Sequence, residues 1–151
     1  KTKHRMNKIK TQKLKIVPDA RGRLGEILRN DNPFFKKFGQ VYFTTAYPGV
    51  VKAWHKHMLQ TDCICCISGD VKLVLYDNKD ESFKTFIIGE HNPLLVQIPP
   101  EIWHGFKNIG TKDAIVINIP DKPYDYKNPD EYRLTPHLNS IIIYNWDERD
   151  E

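Results

Sequence analysis

Gly49-Val50-Val51-Lys52-Ala53-Trp54-His55-Lys56-His57 is the stretch on which the reading of this chain turns. On an extended strand residues two apart share a face, so His55 and His57 project together. Gln60, Asp62 and Gly69 follow, and a third histidine stands in Pro99-Pro100-Glu101-Ile102-Trp103-His104-Gly105-Phe106-Lys107-Asn108. A single histidine is more often structural than chemical, but three imidazoles carried by two segments to one place indicate an active or binding site. His4, His91 and His137 sit in terminal or turn-like sequence and are expected at the surface.

Outward from the histidines the chain reads as many short strands. Val41–Ala46, Cys63–Ile67, Val71–Tyr76, Phe83–Ile88, Leu94–Ile98 and Ala114–Ile119 are rich in β-branched and aromatic residues. Turn signals separate them: Tyr47-Pro48-Gly49, Ser68-Gly69-Asp70, Asp77-Asn78-Lys79-Asp80, His91-Asn92-Pro93 and Pro99-Pro100. This punctuation predicts a sandwich or closed barrel, which removes exposed sheet edges. Short helices are expected at Asn32–Phe38 and at Pro129–Arg133. The apolar run from Ile141 to Trp146 is expected to pack on the barrel or on a partner.

At 151 residues the chain fits one domain. Much of its net charge of +4 lies in the first fifteen residues, which hold Lys1, Lys3, Arg5, Lys8, Lys10, Lys13 and Lys15 and no acid. Residues 1–15 are therefore read as a basic arm, partly disordered, and residues 16–151 as the folded domain. Met6 is read as the natural start. No apolar run approaches the ~18 residues that span a bilayer, and no signal segment opens the chain. Cys63, Cys65 and Cys66 are odd in number and bunched in one apolar run, which fits buried free thiols in a reducing compartment. These features place the protein in the cytoplasm, with neither nucleic acid nor membrane as partner.

The histidine motifs resemble the two signatures of cupins: Gly, five residues, His-x-His, four residues, an acid, six residues and Gly, then a Pro-led His-x-x-x-Asn. Asp62 stands where Glu is usual, and Glu101 where Gly is usual. The implied fold is all-β, a cupin double-stranded β-helix or jelly-roll barrel. Within cupins, Asp19-Ala20-Arg21-Gly22-Arg23-Leu24-Gly25-Glu26, Phe38-Gly39-Gln40, Pro48 to His55, His104-Gly105-Phe106, Tyr124 to Arg133 and Ile143-Tyr144-Asn145-Trp146 resemble, in order, segments of the dTDP-4-dehydrorhamnose 3,5-epimerase family.

That resemblance implies a homodimeric isomerase without metal or cofactor. It would invert carbons beside the C4 ketone of a nucleotide-linked 4-keto-6-deoxyhexose, for polysaccharide biosynthesis. His55 matches the base, and Asp150 is the candidate carboxylate that orients it. Arg21 and Lys52 would hold the pyrophosphate. Glu26, Gln40, His57, Gln60, His104 and Glu131 would complete the substrate contacts, with Tyr126. Two departures stand out. The family's enolate-stabilising lysine falls at Gln60-Thr61-Asp62, and its catalytic tyrosine falls on Ile115 to Asp121, where no tyrosine occurs. Tyr124, Tyr126 or His57 would then be the acid, or one inversion has been lost.

Three other readings remain at this level. His55, His57, Asp62 and His104 could bind a divalent metal, since three nitrogens and a carboxylate suit Fe, Mn, Ni or Zn. The chain could be a nucleotide-sugar 3,4-ketoisomerase, or a sugar-binding cupin without catalysis.

Overall fold

The structure, a computed structural model, describes residues 5–149. Two five-stranded antiparallel sheets face each other. The first runs, edge to edge, β1 (Lys10–Lys13), β9 (Leu94–Ile98), β6 (Asp62–Ser68), β11 (Ala114–Asn118) and β4 (Tyr42–Ala46). The second runs β12 (Tyr132–Arg133), β5 (Val51–Lys56), β10 (Trp103–Asn108), β7 (Asp70–Asp77) and β8 (Ser82–Gly89). A separate hairpin joins β2 (Lys15–Asp19) to β3 (Gly22–Glu26). This is the expected jelly-roll barrel.

Alternation along the strands decides what goes inside. Ile64 and Cys66 of β6, Val71, Leu73 and Leu75 of β7, Val96 and Ile98 of β9 and Val116 of β11 meet in one buried cluster between the sheets. Met6 and Ile9 join it. From Arg5 to Lys13 the basic stretch is part of the fold. Arg5–Lys8 forms a 3₁₀ turn, and Lys10–Lys13 pairs with β9 from Lys10 opposite Gln97 to Lys13 opposite Leu94. Burying Met6 and Ile9 is worth about 1.5–3 kcal/mol each, and β1 covers an otherwise open edge while its lysines stay in water.

The outer faces are covered too. Trp54, Val74, Tyr76 and Trp103 are closed over by Ile142 and Trp146 of the tail, with the Trp54 and Trp146 rings 5.0 Å apart. On the other sheet Cys63, Cys65 and Leu95 lie beneath Leu14, Ile27, Leu28 and Phe34. All three cysteines are free and buried.

Neither expected α-helix forms. Asn32 Oδ1 accepts the Phe34 amide at 2.8 Å, closing a turn in place of a helical start. Pro129–Arg133 ends in β12, where Tyr132 and Arg133 pair with Lys56 and His55. Both segments are too short to repay helix nucleation, so local side-chain and strand pairing decide their form.

One irregularity positions the site. Lys52 pairs with Phe106 and His55 with His104, so two residues, Ala53 and Trp54, oppose Gly105. The bulge lets Lys52 and His55, three apart, both face inward. A Cβ on Gly105 would lie 2.3 Å from Ala53 Cβ and 2.8 Å from Ala53 Cα, which is why this position carries glycine.

Candidate active site

The apolar core fills one end of the barrel and leaves the other open as a cavity of about 1180 Å³. Ile64, Leu73 and Val116 form its floor, and His55, His57 and His104 stand on its wall. Gln40, Lys52, Gln60, Tyr124, Tyr126 and Glu131 also line it, so nine of the expected site residues converge here. Arg21 and Glu26 do not. They lie on the β2–β3 hairpin, where Arg21 is 90% exposed and pairs with Asp19 at 2.7 Å. Asp150 falls outside the described residues.

The histidines differ in their surroundings. His55 Nδ1 is 3.6 Å from Glu131 Oε1, and that oxygen also accepts Arg133 Nε at 3.0 Å. Burial first, and then the neighbouring His104, outweigh the Glu131 carboxylate and lower the His55 pKa to about 4. His55 is neutral near pH 7. Among the described residues Glu131 places a carboxylate beside His55 Nδ1.

His57 is the opposite case. Its Nδ1–H donates to the Asp130 carbonyl at 2.6 Å, and its Nε2 is 3.4 Å from Asp62 Oδ2. Burial opposes a charge there, but the Asp62 carboxylate and the Asp130 carbonyl outweigh it and raise the His57 pKa to about 9. His104 Nδ1–H donates to the Ile102 carbonyl at 3.1 Å, which turns its Nε2 to 3.3 Å from the same Asp62 oxygen. Burial would raise the Asp62 pKa; His104 and His57 reverse that and hold its carboxyl far below the usual carboxylate range. Asp62 Oδ1 accepts Gln60 Nε2 at 2.6 Å, whereas buried Oδ2 has no hydrogen bond.

Ligand atoms of His57, Asp62 and His104 all lie within 4.8 Å of one another. With both Nδ1 atoms donating to carbonyls, two Nε2 lone pairs and a carboxylate oxygen converge, and such a set requires a proton or a cation at its centre. His55 is not in this group, contrary to the four-ligand set read from the sequence.

Asp130, Tyr42 and Asn118 had no signal in the motifs, whereas Glu101 stood out there as a departure. The Asp130 carboxylate accepts the amides of Met58, Leu59 and Gln60 at 2.8, 2.9 and 3.2 Å and so shapes the loop after His57. Glu101 has φ +74°, the left-handed conformation for which glycine is usual at this motif position. Its amide donates to the His57 carbonyl at 2.7 Å, and its carboxylate pairs with Arg5 at 3.0 Å. Those bonds offset a conformational cost of roughly 1–2 kcal/mol. Tyr42 and Asn118 also line the cavity, hydrogen-bonded to each other at 2.8 Å.

A jelly-roll barrel with one inward histidine on β5, a second just past its end and a third on neighbouring β10 has the cupin arrangement. Residues 17–132 match the model of the polysaccharide biosynthesis C-terminal domain family, and the chain belongs to that family. It is 37% identical over 145 residues to the probable low-salt glycan biosynthesis epimerase Agl13 of Haloferax volcanii, covering 91% of this chain and 92% of that one. It is 35% identical over 144 residues to the spore coat polysaccharide biosynthesis protein SpsL of Bacillus subtilis, covering 91% and 94%. The crystal structure of a dTDP sugar isomerase from Desulfovibrio desulfuricans superposes with a TM-score of 0.86 at 30% identity, covering 94% of this chain and 92% of that one. The resemblance to sugar-nucleotide epimerases read from the motifs is met by these relatives. No helix among the described residues is long and apolar enough to cross a membrane.

Proposed function

We propose that this chain epimerises a nucleotide-linked 4-keto-6-deoxyhexose at C3, C5 or both, in the biosynthesis of cell-surface polysaccharide. The observation that carries the reading is the contrast in surroundings of two histidines in one cavity: His57 lies between the Asp130 carbonyl at 2.6 Å and Asp62 Oδ2 at 3.4 Å, which favours its charged form, whereas burial and neighbouring His104 favour neutral His55. Environments that push neighbouring titratable groups apart distinguish the base from the group that supplies positive charge. Neutral His55, with Nδ1 toward Glu131, removes the proton beside the ketone. The electron pair of that C–H bond becomes an enolate, and cationic His57 stands where the missing lysine's charge is needed.

Lys37, Lys52, Lys122, Lys127 and Arg133 line the same cavity and suit a diphosphate. Lys52 Nζ donates to Thr44 Oγ1 at 2.9 Å, which ties the two sheets together at the cavity wall. Gln40 and the paired rings of Tyr124 and Tyr126, 5.0 Å apart, offer hydrogen bonding and stacking at the mouth. Homodimerisation is part of the proposal. Val17 and Leu24 on the hairpin and Val41 and Phe43 beside and on β4 are exposed apolar residues that a second copy would cover. Arg21 and Glu26 would reach substrate through such pairing. Free thiols and a sugar-nucleotide substrate support a cytoplasmic location.

The test is deuterium wash-in from D₂O to dTDP-, UDP-, GDP- and CDP-4-keto-6-deoxyhexoses. Wild type is expected to exchange at C3 or C5 with at least one of them, and His55→Asn to lose roughly 10²–10⁴ of that rate. Exchange by His55→Asn at the wild-type rate would overturn the base assignment.

A second reading has its own observation, the convergent His57–Asp62–His104 donors. Nitrogen and carboxylate donors suit a divalent transition metal, which would supply Lewis acidity to a substrate oxygen. Stoichiometric metal in the purified protein, with activity lost to a chelator and restored by one ion, would favour it over the proton-only site.

A further inference from the structure

The strand that should carry the family's catalytic tyrosine is β11, and at the cavity it presents Asn118. Asn118 is 3% exposed and pairs across strands with Tyr42 of β4. Along β4, Tyr42 and Thr44 line the cavity, Ala46 enters the core, and Phe43 faces away at 70% exposure. The phenol therefore stands on the cavity wall one strand from the vacant position. Tyr42 belongs to one sheet and His55 to the facing sheet. A base and an acid that invert a carbon must lie on opposite sides of the substrate, and this placement meets that requirement.

The hydrogen bond between them has a useful direction. Asn118 Nδ2–H donates to the Tyr42 oxygen at 2.8 Å, which leaves the phenolic proton free to point into the cavity. The same donor steadies the phenolate that remains once the proton has left. Asn118 Oδ1 is buried with no hydrogen-bond partner among the described residues, so the pair is not closed on itself. Burial raises the Tyr42 pKa, with Asn118 opposing it, so the proton is held at neutral pH. Tyr124 and Tyr126 lack this support: neither phenol oxygen has a hydrogen-bond partner among the described residues, and that, not exposure, separates Tyr42 (42% exposed) from Tyr124 (40%).

We propose that Tyr42 is the general acid, protonating the enolate on the face opposite His55, a proposal that rests on the epimerase reading above. His55 takes the proton from carbon, and the C–H pair becomes the enolate. The Tyr42 O–H bond then breaks as the new C–H bond forms and the ketone returns. Imidazolium and phenolate remain, and proton transfer through water from one to the other restores both.

The experiment is Tyr42→Phe, with folding checked by circular dichroism, assayed for deuterium wash-in and for inverted product on the same four 4-keto sugar nucleotides. His55 can return a solvent deuteron to the face it deprotonated, so Tyr42→Phe is expected to retain wash-in within about threefold while inversion falls roughly 10²–10⁴-fold. Inversion at the wild-type rate would overturn the role of Tyr42 and leave the epimerase reading standing. Loss of wash-in together with inversion in a folded variant would overturn the acid role as well, since Tyr42 would then act before the enolate forms. Absence of both from wild type would overturn the epimerase reading and this proposal with it.

Discussion

His55 Nδ1 faces Glu131 Oε1 at 3.6 Å, and the two meet because Arg133, two residues after Glu131, pairs with His55 across the β5–β12 edge. A carboxylate far along the chain is thus brought beside the imidazole through a two-residue strand. Glu131→Gln removes the charge and keeps the shape. Turnover is expected to fall about 10²-fold, less than the ~10⁴-fold of a triad carboxylate that is fully hydrogen-bonded. Steady-state kinetics with unchanged secondary structure check this; an unaffected kcat would remove Glu131 from the mechanism.

The two inward histidines set the pH dependence. His55, lowered to about 4, loses its lone pair to a proton only below that pH. His57, raised to about 9, loses its charge only above it. The profile of kcat/KM against pH is expected to be a broad bell with limbs near 4 and 9. A single acid limb near the ordinary histidine value of about 6.5 would contradict the assignment.

The same shift of His57 makes a stability statement. A pKa raised on folding contributes stability fully present below the unfolded value of about 6.5, and lost as pH rises toward 9. Asp62→Asn removes the carboxylate that holds that proton, so this contribution should vanish and the variant should be less stable by about 3 kcal/mol at pH 7. Denaturant midpoints at pH 6 and pH 9 for both proteins provide the measurement; equal stabilities would show that the buried carboxylate does not charge His57.

Gly105→Ala places a methyl group against the backbone of Ala53, which cannot swing aside. Overpacking of this kind costs about 1–3 kcal/mol, and the displaced bulge would carry Lys52 and His55 with it. Both Tm and turnover should fall; a variant with wild-type values of each would mean that the bulge relaxes freely.

Burial pushes the Cys65 thiol up to about 12 and Cys66 up to about 11, and Cys63 also rises. At pH 8 none of the three should react with iodoacetamide in the native protein, and all three should react in denaturant. Mass spectrometry reads the count directly, and rapid native labelling of any one would refute its burial.

Much of the barrel was legible because strand and turn chemistry is local. β6, β7, β8, β9 and β11 follow from runs of β-branched and aromatic residues, and their ends match the turn residues within one or two positions. β1 escaped notice because Lys10-Thr11-Gln12-Lys13 has no apolar residue; its pairing comes from the open edge of β9. The expected helix at Asn32 failed for the complementary reason, a local Asx turn that competes with helix nucleation.

The sequence by itself determined that three histidines meet in a cupin barrel, because His-x-His on a strand and a Pro-led His-x-x-x-Asn carry their own geometry. It could not say which histidine is neutral and which charged. That depends on Glu131, Asp130, Asp62 and burial, none of which lies beside both rings in sequence. Nor could it find Tyr42, which stands one strand from the position of the absent tyrosine and pairs across strands with Asn118. Motifs record neighbours along the chain, whereas pKa values and proton donors answer to neighbours in space, and the pairing of strands distant in sequence decides those.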